Sequence, residues 1–267
     1  MLRTRVITAL VLVAALAAIL FALPPLAVSV TFGLIAALAA WEWAGLMRQD
    51  AVARWLYALF VVAACWQLTV NLPQLVPLLF GISAVFWLLV VPVWFRYKWT
   101  LSGNDMGGYL LGLLVILPTW AAMVELHRVD VWLMLGVMAL VWVADIAAYF
   151  AGRAFGRHKL APAISPGKTW EGVAGAVAGV LVYGTVVLTM SPMAGKLPFS
   201  WPVTAALLVL LTAVSVMGDL FESLLKRQAG IKDSSNLLPG HGGVLDRIDA
   251  LTSTLPLAAL ILYLIWR

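Results

Sequence analysis

Seven of the 12 acidic residues lie beyond residue 140: Asp145, Glu171, Asp219, Glu222, Asp233, Asp246 and Asp249. They fall in three segments that also carry bases. The first is Asp145-Ile-Ala-Ala-Tyr149-Phe-Ala-Gly152-Arg153, in which Asp145, Tyr149 and Arg153 recur every four residues and so share a helical face. The second is Ser165-Pro166-Gly167-Lys168-Thr169-Trp170-Glu171-Gly172. The third runs from Gly218-Asp219 through Glu222, Ser223, Lys226 and Arg227 to Lys232-Asp233, Pro239-Gly240-His241-Gly242-Gly243 and Asp246-Arg247-Ile248-Asp249. Carboxylates suit a hard cation such as Mg²⁺, and Lys and Arg neutralise phosphate oxygens. Acids and bases mixed in this way are what nucleoside triphosphate chemistry requires.

Within the second segment, Ser followed by Pro predicts a helix N-cap at Ser165 with Pro166 at the first helical position. A helix starting there would aim free N–H groups at an anion, beside Lys168. Gly-Lys-Thr matches the end of a phosphate-binding P-loop, but the earlier glycine of that motif falls at Pro162 and no strand is expected before it, so a P-loop is rejected. In the third segment Asp219, Ser223 and Lys226 lie on one helical face. The glycines around His241 let backbone approach a ligand closely. Asp246 and Asp249 stand one turn apart.

These groups are set in a very apolar chain of 267 residues, 64% hydrophobic and 11% charged, with mean hydropathy +1.02. A soluble globular domain carries roughly 25% charge, so a water-soluble fold is excluded. Apolar runs at 6–23, 26–47, 55–71, 75–95, 106–124, 131–152, 170–190, 200–225 and 250–266 predict an all-α, polytopic membrane protein of about nine spans. No polar linker interrupts them, which predicts a single membrane domain. Residues 1–130 are expected to be structural, lipid-facing and available for subunit contacts, and residues 131–267 to hold the catalytic helices and loops; the first half has no comparable acid–base cluster. A carboxylate at a helix centre costs about 2.5–3.5 kcal/mol on insertion scales, so the acids beyond 140 must face the bundle interior or a wet cavity.

With nine spans, the N-terminus and the connections near 48–54, 96–105, 153–169 and 226–249 share one side and hold 14 of the 17 Lys and Arg residues. Arg128, Lys196 and Arg267 fall on the other. The positive-inside rule places the first side, with the acid–base cluster, in the cytoplasm, the N-terminus in and the C-terminus out. Scattered single bases explain the net charge of +5 better as topology than as a nucleic-acid stripe, so no nucleic-acid partner is expected. Ala22-Leu23-Pro24-Pro25 makes a poor cleavage site, and residues 6–23 are expected to be retained. Cys65 is alone in an apolar run and is read as packing. Trp41-Glu42-Trp43 and Trp94, near span ends, are read as interfacial anchors without a functional role.

The run Ser223-x2-Lys226-Arg227-x4-Lys232-Asp233-x-Ser235-x3-Pro239-x-His241-Gly242-Gly243-x2-Asp246-Arg247-x-Asp249 resembles the signature of the phosphatidate cytidylyltransferases, the CDP-diacylglycerol synthases. The two earlier segments also resemble motifs of that family, with Gly167 standing where a second lysine is common. The resemblance implies attack of phosphatidic acid on CTP to give CDP-diacylglycerol and pyrophosphate, for phospholipid biosynthesis. It implies Mg²⁺ and K⁺ as cofactors, and a homodimer in the plasma (inner) membrane whose cavity opens to cytoplasm and lipid. On that reading Asp219, Asp246 and Asp249 hold metal, with Glu171 and Asp145 completing the shell. Asp219, Asp246, Lys226, Lys168 and Asp145 form the catalytic set. Lys168, Arg227, Lys232 and Arg247 bind phosphate, while Ser165, Ser223, His241, Gly242 and Gly243 orient the substrate.

Two other readings remain open at this stage. A CTP-dependent lipid-alcohol kinase of the dolichol kinase type also needs a membrane cavity, a metal and bases, but releases CDP. A transporter places its ionisable groups near the midplane in repeated halves, whereas these acids lie toward one face and no repeat is visible.

Overall fold

The computed structural model describes residues 2–101, 105–190 and 199–265, with side chains described from Ile7 onward and, after the first break, from Met106. Lys196 and Arg267, two of the three bases assigned to the far side, lie outside the described residues. Each expected apolar run is helical: α1 Leu2–Ala22, α2 Pro25–Leu46, α3 Ala51–Val70, α4 Val76–Val85 and α5 Val91–Tyr97, α6 Asp105–Val129, α7 Val131–Phe155, α8 Trp170–Met190, α9 Trp201–Ala229 and α10 Leu245–Ile265. Among the described residues eight helical stretches are long and apolar enough to cross a membrane, and α1 adds a shorter apolar stretch, Ile7–Ala22. In one of these stretches α4 and α5 are joined through a π-turn at Phe86–Val90, so Pro73–Tyr97 forms one interrupted rod. That turn aims Phe86 and Trp87 at Phe221 of α9, with ring centroids 5.6 and 5.5 Å away.

Small residues set the crossings that matter to the site. The α7–α8 pair closes through Gly175 and Gly179: a Cβ on Gly179 would stand 2.7 Å from that of Ala147, and one on Gly175 would collide with Ala151. Such close backbone approach is how helices associate where lipid removes the hydrophobic drive between them. Against α9, α10 packs over Gly218, and Ser253 Oγ donates to Val214 O across the seam at 2.8 Å. Thr119 of α6 reaches Thr252 O at 3.2 Å from the other side. Accordingly α10 is the core of the bundle, buried along most of its length.

At the acid-rich end the loops touch the ends of α1 and α9. Arg48 donates to Ala229 O at 3.1 Å, Gln228 donates to Trp99 O at 2.8 Å, and Thr8 donates to Pro239 O at 3.0 Å. The connections expected on one side of the membrane are therefore on one end of the bundle.

Three expectations are corrected. Residues 165–169 do not open a helix: Ser165–Thr169 is strand β2, paired antiparallel with β1, Lys159–Ala161, so a strand also precedes the Gly-Lys-Thr run. The helix starts at Trp170, and Thr169 caps it, its Oγ1 accepting from Gly172 N at 3.1 Å. Second, the last helix begins at Leu245, so Asp246 and Asp249 occupy its opening turns and do not precede it. Third, Trp43 and Trp94 are buried, not interfacial. Trp43 donates to Gly108 O at 2.9 Å, and Trp94 donates to Trp99 O at 2.8 Å while packing edge-on against Phe221.

Candidate active site

Five carboxylates from three helices converge at the loop-bearing end: Asp145 of α7, Asp219 and Glu222 of α9, and Asp246 and Asp249 of α10. Gly218 is what brings two of them together, because without a Cβ it lets the Asp249 backbone lie against α9 one residue from Asp219. The charges acting on Asp249 include Asp219, Lys226, Asp145 and Glu222, and those acting on Asp145 include Asp219, Lys168 and Arg247.

Two lysines enter this cluster from different elements. The β hairpin carries Lys168 to Asp219, Nζ to Oδ2 2.5 Å, with both side chains about a quarter exposed. Ser223, a turn further along α9, donates to Asp219 Oδ1 at 3.3 Å. Lys226 reaches Asp246 Oδ1 at 2.5 Å and Glu222 Oε1 at 3.2 Å and is largely buried. The Glu222 contact is an ion pair without hydrogen-bonding geometry, and both Glu222 oxygens are buried without a donor. Asp246 Oδ2 accepts from Ser234 N at 2.9 Å, Ser234 Oγ at 2.9 Å and Gly243 N at 2.8 Å. That oxygen is saturated, whereas Oδ1 takes only Lys226 and keeps a lone pair.

Lys168, Lys226 and Arg247 do not balance five carboxylates. An excess of negative charge beside apolar helices fits a divalent cation. Among the described residues no three His, Cys, Asp or Glu side chains form a ready-made cage. The donor set thus fits Mg²⁺, which binds through one or two carboxylates and completes its shell with water and substrate phosphate.

Beside the cluster, the loop between α9 and α10 encloses a polar cavity of about 550 Å³, lined by Lys232, Asp233, Asn236, His241 and Arg247 among others. Gly242 has φ +78° there, a conformation that L side chains rarely adopt, and Leu238 pairs with it across a tight turn. His241, one of the lining residues, has its Nδ1 buried without a hydrogen-bond partner among the described residues. Arg247 joins the two compartments, since it lines the cavity and acts on Asp145. A different, apolar cavity, lined by Tyr183, Leu208, Ile261 and neighbours, lies along the other half of α7–α10.

Two expected site residues stand apart from the cluster. Both Glu171 oxygens face the start of the hairpin, accepting from Arg157 N at 3.1 Å and His158 N at 3.2 Å and contacting His158 Nδ1 at 2.6 Å. That carboxylate ties the start of α8 to the start of the hairpin. Arg227 donates at 3.4 Å to Ile164 O and to Ile231 O, tying hairpin to loop with its charge still exposed. Ser165 sits in β2, three residues from Lys168.

Sequence reasoning missed Glu42. This fully buried carboxylate of α2 accepts from Ser235 Oγ at 2.6 Å, Val244 N at 2.9 Å, Leu245 N at 2.6 Å and Ser234 Oγ at 3.2 Å. Ser234, buried between Glu42 and Asp246, was missed with it. A lone Glu inside an apolar run was the available signal, the same rule that singled out Asp145.

A helical membrane protein with a buried acid–base cluster opening beside a polar loop cavity at one end is the class defined by this fold and site. The model of the cytidylyltransferase family matches residues 3–265, and the chain belongs to that family. It is 42% identical to the phosphatidate cytidylyltransferase of Pseudomonas aeruginosa over 98% of this chain and 97% of that one. It is 37% identical to the phosphatidate cytidylyltransferase of Haemophilus influenzae, over 96% of each chain. With the Bacillus subtilis phosphatidate cytidylyltransferase it shares 34% identity over 60% of this chain and 59% of that one.

Proposed function

We propose that this protein transfers the cytidylyl group of CTP to phosphatidic acid, releasing pyrophosphate and leaving CDP-diacylglycerol in the membrane. The observation that carries the reading is the meeting of Asp219–Lys168 and Asp246–Lys226 with Asp145 and Asp249 beside the loop cavity, in a chain whose full-length relatives bear that activity in their names.

In this reaction a phosphomonoester oxygen of the lipid bonds to the α-phosphorus of CTP, and the bond from that phosphorus to the α,β-bridging oxygen breaks, its electron pair leaving with pyrophosphate. The attacking phosphate is already anionic near neutral pH, so no side-chain nucleophile is required. The obstacle is repulsion between anions. Lys168 and Lys226, held by their carboxylates, present ammonium groups where the two phosphates must approach. Arg247 continues the positive wall into the loop cavity, where Lys232 adds charge, and Arg227 stands outside it between hairpin and loop. His241 and the backbone at Gly242 orient the nucleotide there while Gly243 N fixes Asp246, and Ser223 and Ser165 orient oxygens near Asp219 and Lys168.

Asp219, Asp249 and Asp246 through its Oδ1, with Asp145 beside them, would hold Mg²⁺. The ion supplies Lewis-acid neutralisation of phosphate oxygens. An accompanying K⁺ and a homodimer are proposed on the motif resemblance. The bases Arg48, Lys98, Arg157 and Lys159 on the site-bearing end support a cytoplasmic orientation in the plasma membrane, where CTP is available.

The test is a turnover assay in mixed micelles with α-labelled CTP, phosphatidic acid and Mg²⁺. Label entering the lipid with stoichiometric pyrophosphate is the expected result. Label remaining in the aqueous phase as CDP when a lipid alcohol is supplied would overturn it.

A further inference from the structure

We infer that Glu42 of α2 is a positioning residue for this reaction, holding Asp246 and the glycine loop at 241–243 in register through Ser234. The inference rests on the proposed cytidylyl transfer.

Glu42 is fully buried. Each of its oxygens takes one backbone N–H and one serine hydroxyl: Oε1 from Val244 N and Ser235 Oγ, Oε2 from Leu245 N and Ser234 Oγ. The two N–H groups belong to the opening of α10, whose first amides have no partner within their own helix. Glu42 is therefore a helix cap supplied by another helix, and its negative charge meets the positive end of the α10 dipole. Arg54, stacked 3.4 Å over Trp41 and donating to Trp41 O, is the basic group whose field reaches it.

From this cap the network continues into the reacting region. Ser234 Oγ lies 3.2 Å from Glu42 and 2.9 Å from Asp246, so one hydroxyl proton is shared between two carboxylates. Asp246 in turn fixes Gly243 N and the Lys226 ammonium. No atom larger than hydrogen fits on Gly243, where a Cβ would run into both Ser234 Oγ and the Glu42 carboxylate. Moving Glu42 thus moves Asp246, Lys226 and the backbone beside His241 together. Glu42 itself is enclosed and lines neither the loop cavity nor the Asp219 cluster.

The experiment compares wild type, Glu42→Gln, Ser234→Ala and the double variant in detergent, measuring kcat, KM for CTP and for phosphatidic acid, and amide exchange across residues 242–246. The glutamine amide must turn an NH2 toward donors that need an acceptor. Folded, monodisperse Glu42→Gln is expected to lose kcat by about tenfold to a hundredfold, the scale of a 1 Å misplacement, with KM for phosphatidic acid within about twofold of wild type. Exchange should quicken at Val244 and Leu245 but not in α7. Ser234→Ala should lose less, and the double variant should match Glu42→Gln, because both act along one path. Wild-type kcat in folded Glu42→Gln, or losses that multiply in the double variant, would overturn the inference. If Glu42→Gln does not fold, Ser234→Ala decides: it leaves both backbone bonds to Glu42, so a lowered kcat supports the link and an unchanged one removes it. A wild-type protein that forms no CDP-lipid counts against the proposed reaction instead, and faster exchange at 242–246 then judges the Glu42 link alone.

Discussion

The α-carbon of Gly218 faces the carbonyl of Asp249 so closely that a Cβ placed on it would stand 2.8 Å from that oxygen and 2.5 Å from Ser253 Oγ. One hydrogen atom on α9 thus determines how near Asp219 and Asp249 come to each other. Gly218→Val should force α9 and α10 apart, lower the melting temperature in detergent and reduce turnover at least tenfold, since overpacking a tight core costs about 1–3 kcal/mol and the carboxylate pair opens with it. Unchanged turnover in Gly218→Val would show that the pair does not act together.

Asp219 and Asp246 separate chemistry from structure. Asp219 is partly exposed, ion-paired with Lys168 and accepting from Ser223, so Asp219→Ala should fold normally and abolish turnover. Asp246 holds Lys226, Ser234 and Gly243, so Asp246→Ala should abolish turnover and also destabilise the protein, by about 3–5 kcal/mol for a buried ammonium that keeps its Glu222 contact but loses its hydrogen-bonded partner, beside orphaned donors. Turnover assays paired with thermal unfolding distinguish the two; an active Asp219→Ala would remove Asp219 from the cation site.

His241 lines the loop cavity and carries a buried ring nitrogen without a partner among the described residues. His241→Ala is expected to raise KM for CTP roughly tenfold, the worth of one hydrogen bond, while KM for phosphatidic acid stays as it is. A rise in the lipid KM alone would reassign the cavity.

Thr169, not Ser165, caps α8. Thr169→Ala should cost about 1 kcal/mol in detergent unfolding, and Ser165→Ala much less. Equal losses would restore the earlier start of the helix.

The helices were legible because the membrane imposes length and apolarity on them, and the nine apolar runs reappear as helices with shifted ends. The acid–base residues beyond 140 were legible because carboxylates in such runs are expensive, and the motif spacing at 223–249 grouped them. What spacing hides is partner choice. Glu171 was grouped with the metal acids by type, yet backbone amides at 157 and 158 claim it. Ser165-Pro166 obeys a local capping rule that hairpin pairing with Lys159–Ala161 overrides. Glu42 was discounted because tryptophans flank it, and only the folded chain reveals that its donors come from about 200 positions later, Leu245 N among them.

That separation has a meaning for how the protein is made. Glu42 enters the bilayer with α2, and its backbone donors at Val244 and Leu245 are not yet synthesised; at about 5–20 residues per second they follow some 10–40 s later. During that interval the carboxylate must stay hydrated or be sheltered by the insertion machinery, and α2 cannot settle against its final neighbours. Nascent chains arrested after α9 are expected to leave a cysteine placed at position 42 open to aqueous maleimide, and chains released after α10 to protect it. Protection already complete before α10 emerges would mean that another group serves as a temporary partner for this helix.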